Sequence, residues 1–187
     1  GQCQDGGAKR HSGAFLWDLS NYFEHLDRQL LWNRASSTSF PLAVAAVALN
    51  QYSARRYIGL DALTLDAAYA EKGIAAGCGL ATFWVQVYAY EPLQIWQHSQ
   101  PHLELSMFID DLWSGAEDEQ PHKVVGRLTA GAAMLHDTIT RELKCTVAVH
   151  KSALVASSDH LLARLKKAFG PYGGDATTSA PNLGVDF

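Results

Sequence analysis

Short apolar segments that stop at acidic residues stand out in the pattern of apolar and polar positions along the chain. Residues 14–17 are apolar and the run stops at Asp18, which predicts a strand with a carboxylate at its end. Residues 103–109 alternate in part, and Asp110 and Asp111 follow them before a second apolar pair at 112–113. This second pattern predicts a β-hairpin with two aspartates at its tip.

Helical spacing of apolar residues marks other parts of the chain, and it predicts helices over residues 23–35, 42–57, 80–96, 121–143 and 159–169. Pro92 is expected to bend or end the third helix, and Pro121 suits the start of the fourth. Ser158 or Asp159 can cap the fifth helix. Glycines at 73, 77 and 79 predict a turn.

Further short apolar segments predict strands at residues 145–149, 152–156 and 183–187, and the 59–72 segment could hold a short strand and a loop. Strands and helices are interspersed, but hairpins are present, so the pattern predicts an α+β fold. We expect an antiparallel sheet with helices packed on one face, in the split βαβ style. Residues 1–13 are polar and glycine-rich and predict a flexible N-terminal edge, and 14–187 form one domain.

Composition and charge narrow the function classes. Hydrophobic residues make up 48% of the 187 residues, which is enough for one domain with a buried core. The formal net charge is -4, whereas an independent nucleic-acid-binding domain is usually basic. An acidic active site with basic contacts on other domains is still compatible with this charge.

Cysteine usage and hydropathy bear on the compartment. The chain has three cysteines, an odd number at spacings too wide for a zinc knuckle, which favours a reducing compartment. The first residues have no apolar core of the kind that a signal peptide needs, and no segment is apolar enough to span a bilayer. We therefore expect an intracellular protein of the nucleus or cytoplasm, neither secreted nor embedded in a membrane.

The three aspartates need compensation if they follow buried strands. Burial of an unpaired carboxylate costs several kcal/mol or more, and Mg²⁺ or Mn²⁺ is the natural partner because hard oxygen ligands suit these ions. Asp18 and Asp110 on neighbouring strands could bridge two ions about 3.5–4 Å apart, the arrangement of two-metal phosphoryl chemistry. The alternative is that Asp110 and Asp111 are an ordinary choice of turn residues.

Five segments in order resemble the palm motifs of reverse transcriptases. FIDDL at 108–112 resembles the aromatic-x-Asp-Asp box, and LWDLSNYFEHLDRQLL at 16–31 resembles the first palm motif. GIAAGCGLAT at 73–82 is similar to the glycine-rich motif, VAVHKSALVAS at 147–157 to the strand–Lys–strand motif, and NLGVDF at 182–187 to the primer-grip strand. They are closest in character to non-LTR retroelement and group II intron enzymes. The resemblance implies a polymerase palm that carries out RNA-directed DNA synthesis.

The resemblance implies a role for each matching residue. Asp18 and Asp110 match the metal ligands, Asp111 the supporting carboxylate, and two Mg²⁺ or Mn²⁺ ions are expected. Phe23 matches the aromatic residue that screens the sugar 2′ position, although a core role is equally open. Lys151 matches the lysine near the phosphates, where it could protonate the leaving pyrophosphate. Without the motif it would be an ordinary surface lysine.

Two glycine positions and one strand complete the expected substrate contacts. Gly73 and Gly77 would let the backbone approach nucleotide and template, and Leu183 with Gly184 would belong to the primer-grip hairpin. The expected partners are an RNA template, a DNA primer and a dNTP. Fingers and thumb regions are expected outside this chain or on a partner subunit.

Some features favour a second hypothesis, in which the chain is a catalytically degenerate palm that serves as a binding or structural subunit of a larger assembly. Ala76 stands where the glycine-rich motif usually has glutamine, and the net charge is acidic. Retention of Asp18, Asp110, Asp111 and Lys151 argues for the enzyme. A third, weaker alternative is another palm-type cyclase or nucleotidyl transferase.

Overall fold

The computed structural model describes residues 10–57, 59–60, 63–64 and 69–178. The strands in this part of the chain are β1 His11–Ser20, β2 Gly59–Leu60, β3 Leu63–Thr64, β4 Glu104–Phe108, β5 Asp111–Asp118, β6 Thr146–Val147, β7 Ala153–Ala156 and β8 Asp175–Thr177. The α-helices are α1 Tyr22–His25, α2 Arg28–Ser37, α3 Leu42–Ser53, α4 Ala81–Ser99, α5 Pro121–Asp137 and α6 Asp159–Phe169.

Most strands join one sheet with the order β4-β5-β1-β7-β8, and β6 pairs with the end of β1. All of these pairings are antiparallel except that of β7 with β8, which is parallel. The separate β2–β3 pair forms a small antiparallel ribbon. The predicted α+β fold with an antiparallel sheet is confirmed, with the parallel edge strand β8 as an addition that the sequence pattern did not predict.

The helices pack on one face of this sheet, as predicted. Alternate residues of β1 face them, and a Cβ atom at Gly13 would lie 3.1 Å from Leu128 of α5 and 3.1 Å from Leu165 of α6. Phe15 and Trp17 follow on the same side and are buried. Because successive residues of a strand point to opposite faces, Asp18 lies on the other face, away from α5 and α6.

The first predicted helix is interrupted. Residues 23–35 form two helices, α1 and α2, with a break at Leu26 and Asp27. The side chain of Asp27 accepts a hydrogen bond from the Leu30 N–H at 3.0 Å, which makes it the N-cap of α2. Its own N–H donates to the Tyr88 hydroxyl at 3.4 Å, and the Lys144 ammonium lies 2.6 Å from its carboxylate. The break is therefore fixed by contacts distant in sequence.

Replacement of Asp27 by alanine is expected to lower the free energy of unfolding by about 1 kcal/mol at neutral pH, the usual cost of a lost N-cap. The hydrogen bond from Lys144 and then that from the Leu30 N–H hold the pKa of Asp27 below its ordinary value. A lowered acidic pKa stabilises the fold above the pKa of the unfolded state, about 3.9, and this stabilisation is lost as pH falls through the lowered value.

Urea unfolding of both proteins between neutral pH and pH about 2.5 checks this window. The difference in the free energy of unfolding between wild type and Asp27→Ala should become smaller only below about pH 4. Asp27→Asn is the control, since asparagine retains the cap but not the charge. A constant difference across the whole range would contradict the assignment.

Pro92 does not end its helix, contrary to one of the two sequence expectations. It lies inside α4 and is buried. Proline lacks the N–H that would bond the carbonyl four residues earlier, which is the carbonyl of Tyr88. The buried Arg34 guanidinium donates to that carbonyl instead, and a second guanidinium nitrogen donates to the Glu142 carbonyl at 2.6 Å. The missing hydrogen bond is thus replaced from another helix.

The remaining boundaries differ modestly from the predictions. The segment predicted as one helix over 121–143 is α5 followed by a π-helical turn at Thr138–Glu142. Helix α6 begins after Ser158, whose hydroxyl accepts from the Leu161 N–H, as the capping prediction required. The predicted strand at 183–187 lies outside the described residues. No helix in the described part of the chain combines the length and apolar character needed to cross a bilayer.

Candidate active site at the β1–β5 pair

Asp18 lies directly opposite Asp111 in the sheet, as adjacent partners of β1 and β5. The structure corrects one detail: Asp18 does not end its strand, because β1 continues to Ser20. Pairing with β5 does stop at Asp18, and the last two residues of β1 pair with β6 instead. Asp18 therefore lies beside the tip of the β4–β5 hairpin, and β1 extends two residues beyond that tip.

The two carboxylates approach closely because of the type of pair. The Asp18 N–H donates to the Ser152 hydroxyl and its carbonyl accepts from the Ala148 N–H, so both backbone groups point away from β5. The pair with Asp111 is consequently of the non-hydrogen-bonded kind, in which Cα atoms lie about 4.5 Å apart and side chains come closest. Paired residues also project from the same face of a sheet.

Asp110 belongs to the tight turn of the hairpin and is exposed. The hairpin closes at the Phe108–Asp111 pair, so the turn consists of Ile109 and Asp110. Ile109 has a φ of 60°, a conformation that a β-branched residue adopts only with strain. Such strain is commonly stored next to functional groups. The turn brings Asp110 close enough for its negative charge to act on the Asp111 carboxyl.

The electrostatics of the three carboxylates are those of an uncompensated acidic cluster. Partial desolvation of its carboxyl, and then the negative charges of Asp110 and Asp18, raise the pKa of Asp111 above its usual value. Within the described residues, none of the three takes part in an ion pair. A bound cation would relieve this repulsion.

A ready-made metal cage is not part of the described structure, where no group of three or more His, Cys, Asp or Glu side chains is placed to hold an ion. The donor chemistry nevertheless fits a hard divalent cation, since Asp18, Asp110 and Asp111 supply only carboxylate oxygens. Asp110 and Asp111 are exposed, and no hydrogen bond among the described residues fixes their side chains. Their side chains could therefore adopt rotamers that bring their oxygens to a cation held by Asp18.

Aromatic side chains flank the carboxylates on the same face of the sheet. Phe108 pairs with Asp111 and is 73% exposed. Trp113, two residues beyond Asp111 in β5, projects from the same face and is partly buried. The Phe108 ring is therefore an accessible aromatic surface beside the acidic side chains.

The predicted glycine-rich turn packs against the residues that follow Asp18. The Gly73 N–H donates to the Leu26 carbonyl at 2.8 Å, and the Ile74 N–H donates to the Phe23 carbonyl at 2.9 Å. Gly73 has a φ of +85°, and a Cβ atom there would lie 2.7 Å from the Glu24 carbonyl oxygen. The absence of a side chain at Gly73 is thus required by this contact within the protein.

The other end of the same turn is open. Gly77 and Ala76 are exposed, and a Cβ atom at Gly77 would meet nothing within 4 Å. The prediction that Gly77 lets a ligand approach the backbone is compatible with this open space and stays a prediction. For Gly73 the structure provides a different reason for glycine from the one that the sequence suggested.

Arg28 holds the glycine-rich turn in place, a role that the sequence did not reveal. Its guanidinium donates to the carbonyls of Gly73 at 2.7 Å, Ala70 at 2.8 Å and Lys72 at 3.0 Å. These three hydrogen bonds fix the distance between α2 and the start of the turn. The sequence alone does not indicate them, since the three carbonyls lie more than 40 positions away from Arg28.

The other predicted site residues are placed as follows. Phe23 is half-buried and packs against the core, so the packing and sugar-screening interpretations both stay open. Lys151 is exposed in the turn between β6 and β7. The next residue, Ser152, accepts a hydrogen bond from the Asp18 N–H. Leu183 and Gly184 lie outside the described residues. Ser152, which bonds Asp18, was not anticipated as a site residue.

Comparison with solved structures places this arrangement in a known fold. The chain superposes on telomerase from Candida tropicalis, solved in complex with a TWJ fragment of telomeric RNA, with a TM-score of 0.57 and 10% identity. The chain has a polymerase palm fold. The match covers 83% of this chain but 27% of the telomerase chain, so the protein described here spans about a quarter of that neighbour.

A second telomerase, from Candida albicans and also in complex with a TWJ fragment of telomeric RNA, matches with a TM-score of 0.42 and 10% identity. That match covers 76% of this chain and 26% of the other. No protein-family model and no curated protein sequence matches the chain. At this level of identity the likeness establishes the fold, and the function must be argued from the site.

Proposed function

We propose that the chain is the palm of an RNA-directed DNA polymerase, which joins a primer 3′-hydroxyl to the α-phosphate of a dNTP. The observation that carries the proposal is the Asp18–Asp111 pair on the face of a palm sheet opposite α5 and α6, with Asp110 in the adjoining turn. Two further observations support it: the carboxylates lack cationic partners among the described residues, and an exposed aromatic ring adjoins them.

Each residue has a defined role in the proposed reaction. Asp18 and Asp110 would hold two Mg²⁺ or Mn²⁺ ions, and Asp111 would support them. When bound, the ions lower the pKa of the attacking hydroxyl and stabilise the charge that develops on the phosphate. Lys151, on the turn tied to Asp18, would donate a proton to the departing pyrophosphate. Phe23 would exclude a 2′-hydroxyl, which favours deoxynucleotides.

The nucleic acid would lie near the carboxylates, on the face of the sheet opposite α5 and α6. Phe108 offers a stacking surface there, and stacking is tolerant of sequence. The chain's net charge of -4 gives little attraction for phosphates. We therefore propose that most backbone contacts with template and primer come from fingers and thumb regions or from a partner subunit. The telomerase from Candida tropicalis was solved in complex with an RNA fragment, which is consistent with an RNA partner for this chain.

A primer-extension assay combined with a metal titration tests the proposal. The 187-residue chain is incubated with a DNA primer annealed to an RNA template, the four dNTPs and Mg²⁺ or Mn²⁺, and elongation is followed on a gel. In parallel, Mn²⁺ is titrated into ¹⁵N-labelled protein, and paramagnetic broadening of the amide signals locates the ion. We expect metal-dependent elongation and broadening centred on residues 18, 110 and 111.

The outcomes separate the proposed enzyme from its alternative. Broadening at these residues without elongation would mean a metal-competent palm that needs its neighbouring regions, and their addition in trans should restore elongation. Absence of both elongation and broadening would refute the proposal and favour a palm retained as a binding or structural subunit. Equal elongation with ribonucleotides would refute the role assigned to Phe23.

A further inference from the structure

Two serines bracket β7, and each accepts a hydrogen bond from the backbone of β1. The Ser152 hydroxyl, just before β7, accepts from the Asp18 N–H at 3.3 Å. The Ser157 hydroxyl, just after β7, accepts from the Ser12 N–H at 3.1 Å. Regular pairing of β1 with β7 covers only residues 13–16 of β1, so the serines extend the contact at both ends.

The bond at Asp18 fills a gap in the sheet. On this side of β1, β7 pairs as far as Leu16 and β6 pairs from Leu19 onward, so Asp18 lies between the two. Its N–H donates to the Ser152 hydroxyl, and its carbonyl accepts from the Ala148 N–H at 2.9 Å. The turn between β6 and β7 thus provides both partners that a regular strand would otherwise provide.

Ser152 is itself held from several directions. It is fully buried, and its hydroxyl donates to the Ala148 carbonyl at 3.1 Å. Its carbonyl accepts from the Asp175 N–H at 2.9 Å. The backbone of Gly174 packs directly against that of Ser152, because a Cβ atom at Gly174 would lie 2.6 Å from the Ser152 carbonyl carbon. A hydroxyl fixed in this way can set the position of its partner.

We propose that Ser152 is a positioning residue that holds Asp18 opposite Asp111 and fixes the turn that presents Lys151. This inference rests on the proposed function, since it concerns the same carboxylates. The Ser152 side chain contacts the backbone of Asp18, so it acts on the site through Asp18. Residues that orient a metal ligand typically contribute about 10- to 100-fold to metal affinity or activity.

The chain contains its own matched control. Ser152→Ala and Ser157→Ala each delete one hydroxyl that accepts a β1 amide, but only the first lies next to a carboxylate of the site. Amide exchange followed by NMR reports each hydrogen bond, and titration with Mn²⁺ alone reports the site. The spectra of the other core amides show that each variant is folded.

In Ser152→Ala we expect the Asp18 amide to exchange about 10-fold faster, the effect of one lost hydrogen bond, and the Mn²⁺ dissociation constant to rise about 10-fold. In Ser157→Ala, only the Ser12 amide should exchange faster, with Mn²⁺ affinity unchanged. Where elongation is measurable, Ser152→Ala should lower kcat with little change in KM for the primer–template.

The failure of this inference is distinguishable from failure of the proposed function. Wild-type protein that shows no Mn²⁺ broadening at Asp18 overturns both. Wild-type protein that binds Mn²⁺ there, with the same affinity in Ser152→Ala, overturns the positioning role alone. An unchanged exchange rate of the Asp18 amide in Ser152→Ala also overturns it, because the hydrogen bond would then contribute nothing.

Discussion

Replacement of Asp110 by asparagine is expected to reduce primer extension by at least about 10³-fold, since a metal ion in such a site contributes several kcal/mol of transition-state stabilisation. Asparagine has almost the same shape as aspartate but one charged ligand fewer. Asp110 is exposed in a two-residue turn, where asparagine is readily accommodated. The fold should therefore persist while elongation and Mn²⁺ binding are lost. Single-turnover extension, with thermal unfolding of the same samples, measures both.

Glu104→Gln is the matched control for this substitution. Glu104 is also an exposed carboxylate on the same face of the sheet, at the far end of β4, and it pairs with Gly115. Its loss changes the net charge by the same amount but leaves the three aspartates intact. Elongation should stay within about 2-fold of wild type, because exposed charges this far away are screened by salt. Equal loss in both variants would attribute the effect to general electrostatics and contradict the assignment of Asp110.

Replacement of Arg34 by methionine is expected to lower the free energy of unfolding by about 2–5 kcal/mol, since a buried carbonyl left without a donor costs about 1–3 kcal/mol and a partly buried one costs less. The buried carbonyl is that of Tyr88, and the partly buried one is that of Glu142. The guanidinium also lies 4.7 Å from the centroid of the Tyr88 ring, a cation–π contact that methionine cannot reproduce. Methionine fills a similar volume, so a cavity contributes little to the expected loss.

A double-mutant cycle with Pro92 isolates the part of this loss that belongs to the helix. In Pro92→Ala the new N–H can bond the Tyr88 carbonyl within α4, so that carbonyl no longer depends on Arg34. Arg34→Met should therefore cost about 1–2 kcal/mol less in the Pro92→Ala background than in wild type. Chemical unfolding of the four proteins provides the coupling energy. Additive effects would show that Arg34 does not substitute for the missing proline N–H.

The general arrangement of the site could be predicted from the sequence because it depends on short-range patterns. Apolar runs that stop at Asp18 and before Asp110 indicate strands, and a shared metal site was expected on the condition that these strands are neighbours. The structure then pairs Asp18 with Asp111. The α+β class and the helices on one face follow from the same periodicities, since a strand or helix with one apolar face must bury it.

The parts that could not be predicted all depend on partners distant in sequence. The split between α1 and α2 needs Tyr88 and Lys144, and the continuation of α4 through Pro92 needs Arg34. Arg28 and Ser152 act through backbone carbonyls and amides, which carry no residue-specific signal. The continuation of β1 beyond Asp18 depends on the two residues of β6 that pair with it. Local propensity cannot reveal such contacts.

The first half of the glycine-rich segment is fixed by contacts with the rest of the fold, and the second half is not. Gly73 is locked between the α1 backbone and the Arg28 guanidinium, whereas Ala76 and Gly77 project into open space. Mutational tolerance should therefore change abruptly within four positions of the chain. In the permissive half, which includes the exposed Ala76, a change of side chain should leave the free energy of unfolding almost unchanged.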